Sequence, residues 1–203
     1  MTGVLLHNEA VSQQSERARW ESRYAARAGL NASAPSDFLR DNRDQLPARG
    51  QACDLGAGEG RNAIFLAHQG LEVLAIDFSL GALEKCGTLA REQGVALHRV
   101  AADLSNFWLP DQTFDCIINF DFLLRQLAPR IIAALKTGGV LVFETMTTEY
   151  RRFKPGFNSD FLLQPGELIE MFRGLHLIKY RETVCETRNS FRAVASLIAR
   201  KAE

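Results

Sequence analysis

One stretch of the sequence, Gln51-Ala-Cys-Asp54-Leu-Gly56-Ala-Gly58-Glu-Gly60-Arg-Asn62, decides the fold of this chain. Its first residues have the apolar composition of a buried strand, three alternating glycines follow, and the run from Asn62 onward has the composition of a helix. Glycine suits such a turn because the backbone must bend sharply and a Cβ atom would obstruct a ligand. The stretch therefore predicts a strand, a ligand-binding turn and a helix.

The details of this turn distinguish two classes of ligand. The dinucleotide-binding pattern has glycines at its first, third and sixth positions, but the sixth position counted from Gly56 is Arg61. Asp54, at the end of the predicted strand, would repel a pyrophosphate at the helix N-terminus and would favour ammonium and sulfonium charges. The turn therefore favours S-adenosylmethionine over NAD.

Length and charge limit the class of protein. A chain of 203 residues, 46% of them apolar, is long enough for one core and short for two, so we expect a single domain over residues 1–203. The 24 basic and 24 acidic side chains balance, so no net field would attract nucleic acid or an anionic membrane, and we expect neither as a partner. Both a monomer and a homodimer remain open.

The four cysteines, at positions 53, 86, 116 and 185, are widely spaced and lie mostly in apolar stretches. This spacing predicts reduced, buried thiols and no metal site. The first residues lack a basic leader, and no apolar run is long enough to span a membrane. We therefore expect a cytoplasmic protein.

The N-terminal part predicts helices. Residues 12–28 are helical in composition, with Trp20 and Tyr24 four positions apart on one face, and Ala34-Pro-Ser-Asp37 resembles the start of a second helix that runs to Leu46. The first helix either packs on the core through its apolar face or forms a lid whose aromatic side chains cover a bound cofactor. We expect an N-terminal helical lid at about residues 12–46.

Strands and helices alternate through the rest of the chain, which predicts a Rossmann-like α/β fold with a mostly parallel sheet and helices on both faces. The last two strands have a short connection and therefore form an antiparallel pair. The predicted strands are 52–55, 71–77, 95–101, 114–119, 140–144, 175–184 and 190–200, and the predicted helices after the glycine turn include 80–92, 123–136 and 165–173.

Acidic or amide side chains stand at or just after the ends of the five parallel strands: Asp54, Asp77, Asp103, Asn119 and Glu144. Ligands of open parallel sheets bind at that edge. In folds of this kind, an acidic residue about 20 positions after the first glycine reaches the ribose hydroxyls, and Asp77 lies at about this distance from Gly56. Asp103 is placed to accept from an adenine amine, and Phe78 and Leu104 would supply apolar walls.

These motifs, Asp54 to Gly60, Asp77, Ala102-Asp103-Leu104 and Phe114 to Asn119, resemble those of class I S-adenosylmethionine-dependent methyltransferases. Gly58-Glu-Gly-Arg-Asn-Ala63 and Leu163-Gln-Pro-Gly-Glu167 resemble, more narrowly, the tellurite-resistance type of small-molecule methyltransferase. The resemblance implies a seven-stranded sheet whose last strand is inserted antiparallel between its neighbours. The chain departs from that type at Asn119-Phe-Asp-Phe-Leu123, where a histidine is more usual.

The resemblance also implies which residues bind the cofactor. The glycine turn would hold the methionine part, Asp77 the ribose and Asp103 the adenine, while Asn119 would border the channel of the methyl donor. The full predicted set of cofactor-binding residues is Trp20, Tyr24, Asp54, Gly56, Ala57, Gly58, Asn62, Asp77, Phe78, Ser79, Asp103, Leu104 and Asn119.

The acceptor is expected to be a small molecule, such as the soft oxyanion tellurite or a thiol. Methyl transfer from a sulfonium needs mainly alignment and exclusion of water, so no catalytic residue is assigned. Candidates for binding an anionic acceptor are Arg151, Arg152, Arg188 and Arg192. The alternatives are an S-adenosylmethionine-binding regulatory module without catalysis and, disfavoured by Asp54 and Arg61, an NAD-dependent reductase.

Overall fold

The structure is a computed structural model that describes residues 34–187 and 190–202. Within these ranges seven strands form one sheet in the order β3-β2-β1-β4-β5-β7-β6. Strands β1 to β5 are parallel to one another, and β7 runs antiparallel to both β5 and β6. This confirms the predicted fold class, including the insertion of the last strand. The strands are β1 (Gly50–Leu55), β2 (Leu71–Asp77), β3 (His98–Ala101), β4 (Phe114–Phe120), β5 (Leu135–Met146), β6 (His176–Thr187) and β7 (Ser190–Arg200).

Three of the described α-helices, those at 37–41, 128–134 and 167–171, are shorter than the sequence predicted. The described α-helices are α1 (Asp37–Asp41), α2 (Arg61–His68), α3 (Leu80–Glu92), α4 (Ala128–Ala134) and α5 (Glu167–Met171). The helix predicted to reach Leu46 is α1 followed by a 3-10 turn, Arg43–Gln45. Lys201 Nζ donates to the carbonyl groups of Ile132, Ala133 and Leu135 at the C-terminal end of α4, where a cation satisfies acceptors that the helix leaves open.

Helices cover both faces of the sheet because successive strand residues point to opposite faces. Leu55 and Ile117 belong to one apolar cluster with α4 and α5, whereas Ala52 and Ile118 belong to the other with α1, α2 and α3. Both faces of the central strands are therefore buried, as their nearly continuous apolar runs predicted. None of the helices in the described ranges is long and apolar enough to cross a bilayer.

Strands β3 and β5 differ most in length from the prediction. Strand β3 begins at His98 rather than at Val95, and β5 begins at Leu135 rather than at Val140. The pairing of β4 with β5 jumps between Phe114↔Leu135 and Cys116↔Val140, so the glycine-containing run 136–139 bulges out of a continuous strand.

Candidate functional site

The glycine turn joins β1 to α2 at the carboxyl edge of the sheet. Gly56, Gly58 and Gly60 all have positive φ angles, of 73°, 55° and 83°. A Cβ atom on Gly56 would lie 3.0 Å from the Cβ atom of Phe122. The Gly56 and Ala57 amides donate to the Ile76 carbonyl at 2.9 and 3.0 Å, which ties the turn to β2. The sequence therefore needs glycine here for backbone conformation and for close packing.

Asp54 lies beneath this turn at the end of β1. Its side chain is 2% exposed, and among the described residues its Oδ2 atom has no hydrogen-bond partner. Burial, and then the nearby charge of Asp77, raise the pKa of Asp54 to about 7, while Arg61 and the Ala63 amide lower it. A buried carboxyl oxygen without a partner is costly unless a ligand or a proton satisfies it.

Asp77, at the end of β2, already binds the protein backbone. Its Oδ2 accepts from the Gly58 amide at 2.8 Å, and its Oδ1 accepts from the Ser79 amide at 2.9 Å. Burial raises the pKa of Asp77, and these hydrogen bonds lower it. Ser79 in turn caps α3, since its Oγ accepts from the Ala82 amide at 3.2 Å. Both residues therefore shape the site, beyond the ligand contacts predicted for them.

The loop after β3 carries Asp103 and Leu104. Asp103 is exposed, and its Oδ1 accepts from the Ser105 amide and the Ser105 hydroxyl at 2.9 and 2.7 Å. Leu104 is 5% exposed and belongs to the core, whereas Phe78, the other predicted apolar wall, is half-buried. Arg130 Nη1 donates to the Phe107 carbonyl at 3.1 Å, which fixes the far part of the loop.

The two predicted amides, Asn62 and Asn119, are buried and hold loops in place. Asn62 Oδ1 accepts from the Ser36 amide at 2.8 Å, so the first turn of α2 binds the segment that leads into α1. Asn119 Nδ2 donates to the Phe122 carbonyl at 2.6 Å, which folds the loop after β4 back on the strand. Trp20, Tyr24 and Arg188 lie outside the described residues.

An ion-pair cluster that the sequence reasoning missed lies beside the glycine turn. Asp121, which follows β4 with a φ of 60°, accepts from Arg61 Nη2 at 3.3 Å and from Arg192 Nη2. The sulfur of Met146 is 3.5 Å from the same Arg192 nitrogen. In the sequence, Arg61 is notable only because it stands where the dinucleotide-binding pattern has a glycine. Two guanidinium groups share one carboxylate, so this cluster carries one excess positive charge.

Glu144, the fifth predicted strand-end residue, is the centre of another network. It is 6% exposed and accepts from Ser196 Oγ at 2.7 Å, from Arg181 at 3.4 Å and from Ser36 Oγ at 3.4 Å. The Arg181 guanidinium lies 4.7 Å from the ring centre of Phe38. Glu144 thus joins β5, β6, β7 and the segment before α1.

The remaining predicted arginines lie in the 3-10 segment Thr148–Arg152. Arg151 Nε donates to the Pro155 carbonyl at 3.4 Å, and Arg152 forms an ion pair with Glu149. Both side chains are exposed and satisfied locally. The structure therefore brings Arg192 to the charged cluster and leaves Arg151 and Arg152 with partners of their own segment.

Comparisons with known proteins agree with this geometry. A family model described as a methyltransferase domain matches residues 52–139, which run from β1 to the start of β5. A curated relative, hemagglutinin 1 of Eikenella corrodens, is 30% identical over 149 residues, which are 69% of this chain and 48% of that protein. The chain therefore spans about half the length of this curated relative.

Solved structures share the fold at low sequence identity. TehB from Haemophilus influenzae has a TM-score of 0.71 at 18% identity, over 84% of this chain and 63% of that chain. A SAM-dependent methyltransferase from Methanosarcina mazei has a TM-score of 0.66 at 18% identity, over 80% of this chain and 97% of that chain. The [4+2]-cyclase SpnF has a TM-score of 0.68 at 18% identity, over 85% of each chain. At such identities the likeness shows the fold alone, and one fold serves more than one chemistry.

Proposed function

We propose, from the premise that this chain belongs to the class I S-adenosylmethionine-dependent methyltransferases, that it transfers a methyl group from S-adenosylmethionine to a small-molecule acceptor. The observation that carries the proposal is Asp54, a buried carboxyl with an unpartnered oxygen beneath three glycines of positive φ. An acid there suits a ligand that carries ammonium and sulfonium charges.

The residues at this edge fit the cofactor. Asp54, Gly56, Ala57 and Gly58 would hold the methionine part. Asp77 would bind the ribose, since a carboxylate oxygen that accepts one amide keeps a further lone pair. The adenine would lie between Asp103 and the apolar side chains of Phe78 and Leu104.

The cofactor supplies an already activated methyl group, so the protein has mainly to align donor and acceptor and to exclude water. Such positioning can lower a barrier by about 7 to 11 kcal/mol. In this chain the alignment falls to the glycine turn, which Asp77 and the Ile76 carbonyl hold, and to the loop after β4, which Asn119 holds. No proton-transfer residue is assigned.

On the acceptor side we propose the cluster of Arg61, Asp121 and Arg192. Its one excess positive charge supports an anionic acceptor, which could be a soft oxyanion such as tellurite or a thiol ionised to the thiolate. The side chains of Arg61 and Arg192 are 33% and 27% exposed, so both are partly accessible to solvent. Arg151, Arg152 and Arg188 are weaker candidates.

The first test is calorimetric binding of S-adenosylmethionine and S-adenosylhomocysteine. Gly58→Ala should weaken both by blocking the ligand approach, whereas Gly94→Ala should not. The second glycine is a matched control, because its φ of 72° imposes a similar backbone strain in a turn where a Cβ would meet nothing within 4 Å. Failure of the wild-type protein to bind either compound would exclude the proposed function.

The second test separates an enzyme from the alternative, an S-adenosylmethionine-binding regulatory module. Release of labelled methyl would be followed over a panel that includes tellurite, aliphatic thiols and aromatic thiols. An enzyme should methylate at least one class, and Arg192→Gln should raise the KM for anionic acceptors while cofactor affinity stays unchanged. Tight cofactor binding without methyl transfer to any acceptor would favour the regulatory module.

A further inference from the structure

Asp54 is set apart from the other acids of the strand edge because the Ala63 amide donates to its carboxyl but, among the described residues, one carboxyl oxygen is buried without a partner. Asp77, Asp103 and Glu144 each accept hydrogen bonds from protein groups. Asp54 Oδ2 has none among the described residues, although the side chain is 2% exposed. Water reaches this oxygen poorly, so in the unliganded protein the carboxyl is best satisfied by carrying its own proton.

The groups that face Asp54 explain why no neighbour removes this proton. From β2 the carboxylate of Asp77 adds negative charge, which disfavours ionisation of Asp54. From α2 Arg61 opposes this effect, but its guanidinium is also paired with Asp121 at 3.3 Å.

Three buried thiols, those of Cys53, Cys86 and Cys116, also interact electrostatically with Asp54. Burial raises the pKa of Cys86 to about 11 and that of Cys116 to about 12, and it raises the pKa of Cys53 well above its usual value. These thiols are therefore neutral at physiological pH, and they supply no charge that would stabilise an ionised Asp54.

We propose that Asp54 exchanges its proton for the ammonium group of the cofactor, and that this exchange selects ligands that retain the amino-acid part. The inference rests on the proposed function. In the unliganded site the carboxyl is mostly neutral at pH 6; on binding, its O–H bond breaks, the proton passes to the solvent buffer, and the carboxylate pairs with the ligand ammonium. A nucleoside thioether without the amino acid provides no cation and causes no such release.

The exchange makes affinity depend on pH. Burial raises the pKa of Asp54 to about 7. At pH 6 the carboxyl must therefore be ionised when the ligand binds, which reduces the binding free energy, whereas at pH 8 the carboxyl is already ionised. For one group of this pKa, the dissociation constant should be about tenfold larger at pH 6 than at pH 8.

The experiment compares S-adenosylhomocysteine with 5′-methylthioadenosine, which has the same nucleoside and a thioether but no amino acid. Calorimetric titrations at pH 6 and pH 8, each in two buffers of different ionisation enthalpy, give the affinity and the number of protons released. For S-adenosylhomocysteine we expect release of nearly one proton per bound ligand at pH 6 and of little at pH 8. We also expect its dissociation constant to be about tenfold larger at pH 6 than at pH 8. For 5′-methylthioadenosine we expect neither effect.

Two variants identify the responsible group. Asp54→Asn should abolish both the proton release and the pH dependence, whereas Asp111→Asn, at an exposed loop position, should leave both unchanged. If Asp54→Asn does not fold, the two ligands compared on the wild-type protein still decide. Tight binding of S-adenosylhomocysteine that is independent of pH would overturn the inference and leave the proposed function intact, whereas absence of binding would refute the proposed function itself.

Discussion

Gly60 offers a sharp test of the glycine turn, because two separate effects oppose any side chain there. Its φ is 83°, a conformation that costs an alanine about 1 to 2 kcal/mol. A Cβ atom would also lie closer than 3.0 Å to the Cys86 sulfur on α3, which adds about 1 to 3 kcal/mol of overpacking. Gly60→Ala should therefore lower the free energy of unfolding by about 2 to 5 kcal/mol.

A double-mutant cycle with Cys86→Ala separates these effects. Without the sulfur, the Cβ atom of residue 86 would still lie 3.1 Å from the new Cβ, so Gly60→Ala should cost little more than the backbone strain of about 1 to 2 kcal/mol. Gly94→Ala is the matched control, because its φ of 72° imposes similar strain with nothing within 4 Å. Urea unfolding followed by circular dichroism measures each variant. Equal costs for Gly60→Ala and Gly94→Ala, or a Gly60→Ala cost that Cys86→Ala leaves unchanged, would refute the reasoning.

Three further predictions concern charged side chains. Because the pKa of Asp54 is raised in the folded protein, its carboxyl stabilises the unliganded fold at acid pH, and up to about 4 kcal/mol of this stabilisation is lost as the pH rises from about 4 through 7. In urea titrations across this range, the free energy of unfolding of Asp54→Asn should depend less steeply on pH than that of the wild type. Asp77→Ala should lower the free energy of unfolding by about 2 to 4 kcal/mol, because it leaves the Gly58 and Ser79 amides unpaired, and it should also weaken S-adenosylhomocysteine binding. Unchanged stability would contradict these hydrogen bonds. Arg125 binds Glu167 and the carbonyl groups of residues 160 and 162. Arg125→Gln should therefore accelerate amide hydrogen exchange around residues 160–164. An unchanged exchange rate there would show that these contacts do not restrain the loop.

The order and direction of the strands could be predicted because each depends on local pattern and connection length. Apolar runs marked the strands, and the short link between β6 and β7 required an antiparallel pair. The bulge at residues 136–139 could not be predicted in this way. Its glycines have the composition of a turn, yet pairing with β4 on both sides keeps the chain in one strand, and that pairing is not visible in local sequence.

The strand-end acids could be located from sequence, but their partners could not. Arg61 and Asp121 are 60 positions apart, and Asp121 and Arg192 are 71 apart, so no local spacing indicated that the three would meet. The positive φ of Asp121 gave no sequence signal either, although aspartate tolerates that conformation better than most residues. Only the folded sheet brings these side chains together.

The polar edge of the sheet has two uses that a list of strand-end residues does not separate. Asp77, Asn119 and Glu144 bind loops, amides and neighbouring strands, and this fixes the turn and the β4 loop before any ligand arrives. Groups that are already fixed lose little entropy on binding, so they favour an aligned complex. Asp54 differs because the described residues supply no partner to its Oδ2 atom, and the burial of that oxygen is tolerable only with a proton or a cation. Under the proposed function, the rigid residues would set the geometry of the site, and the carboxyl of Asp54 would set the charge of the ligand that it accepts.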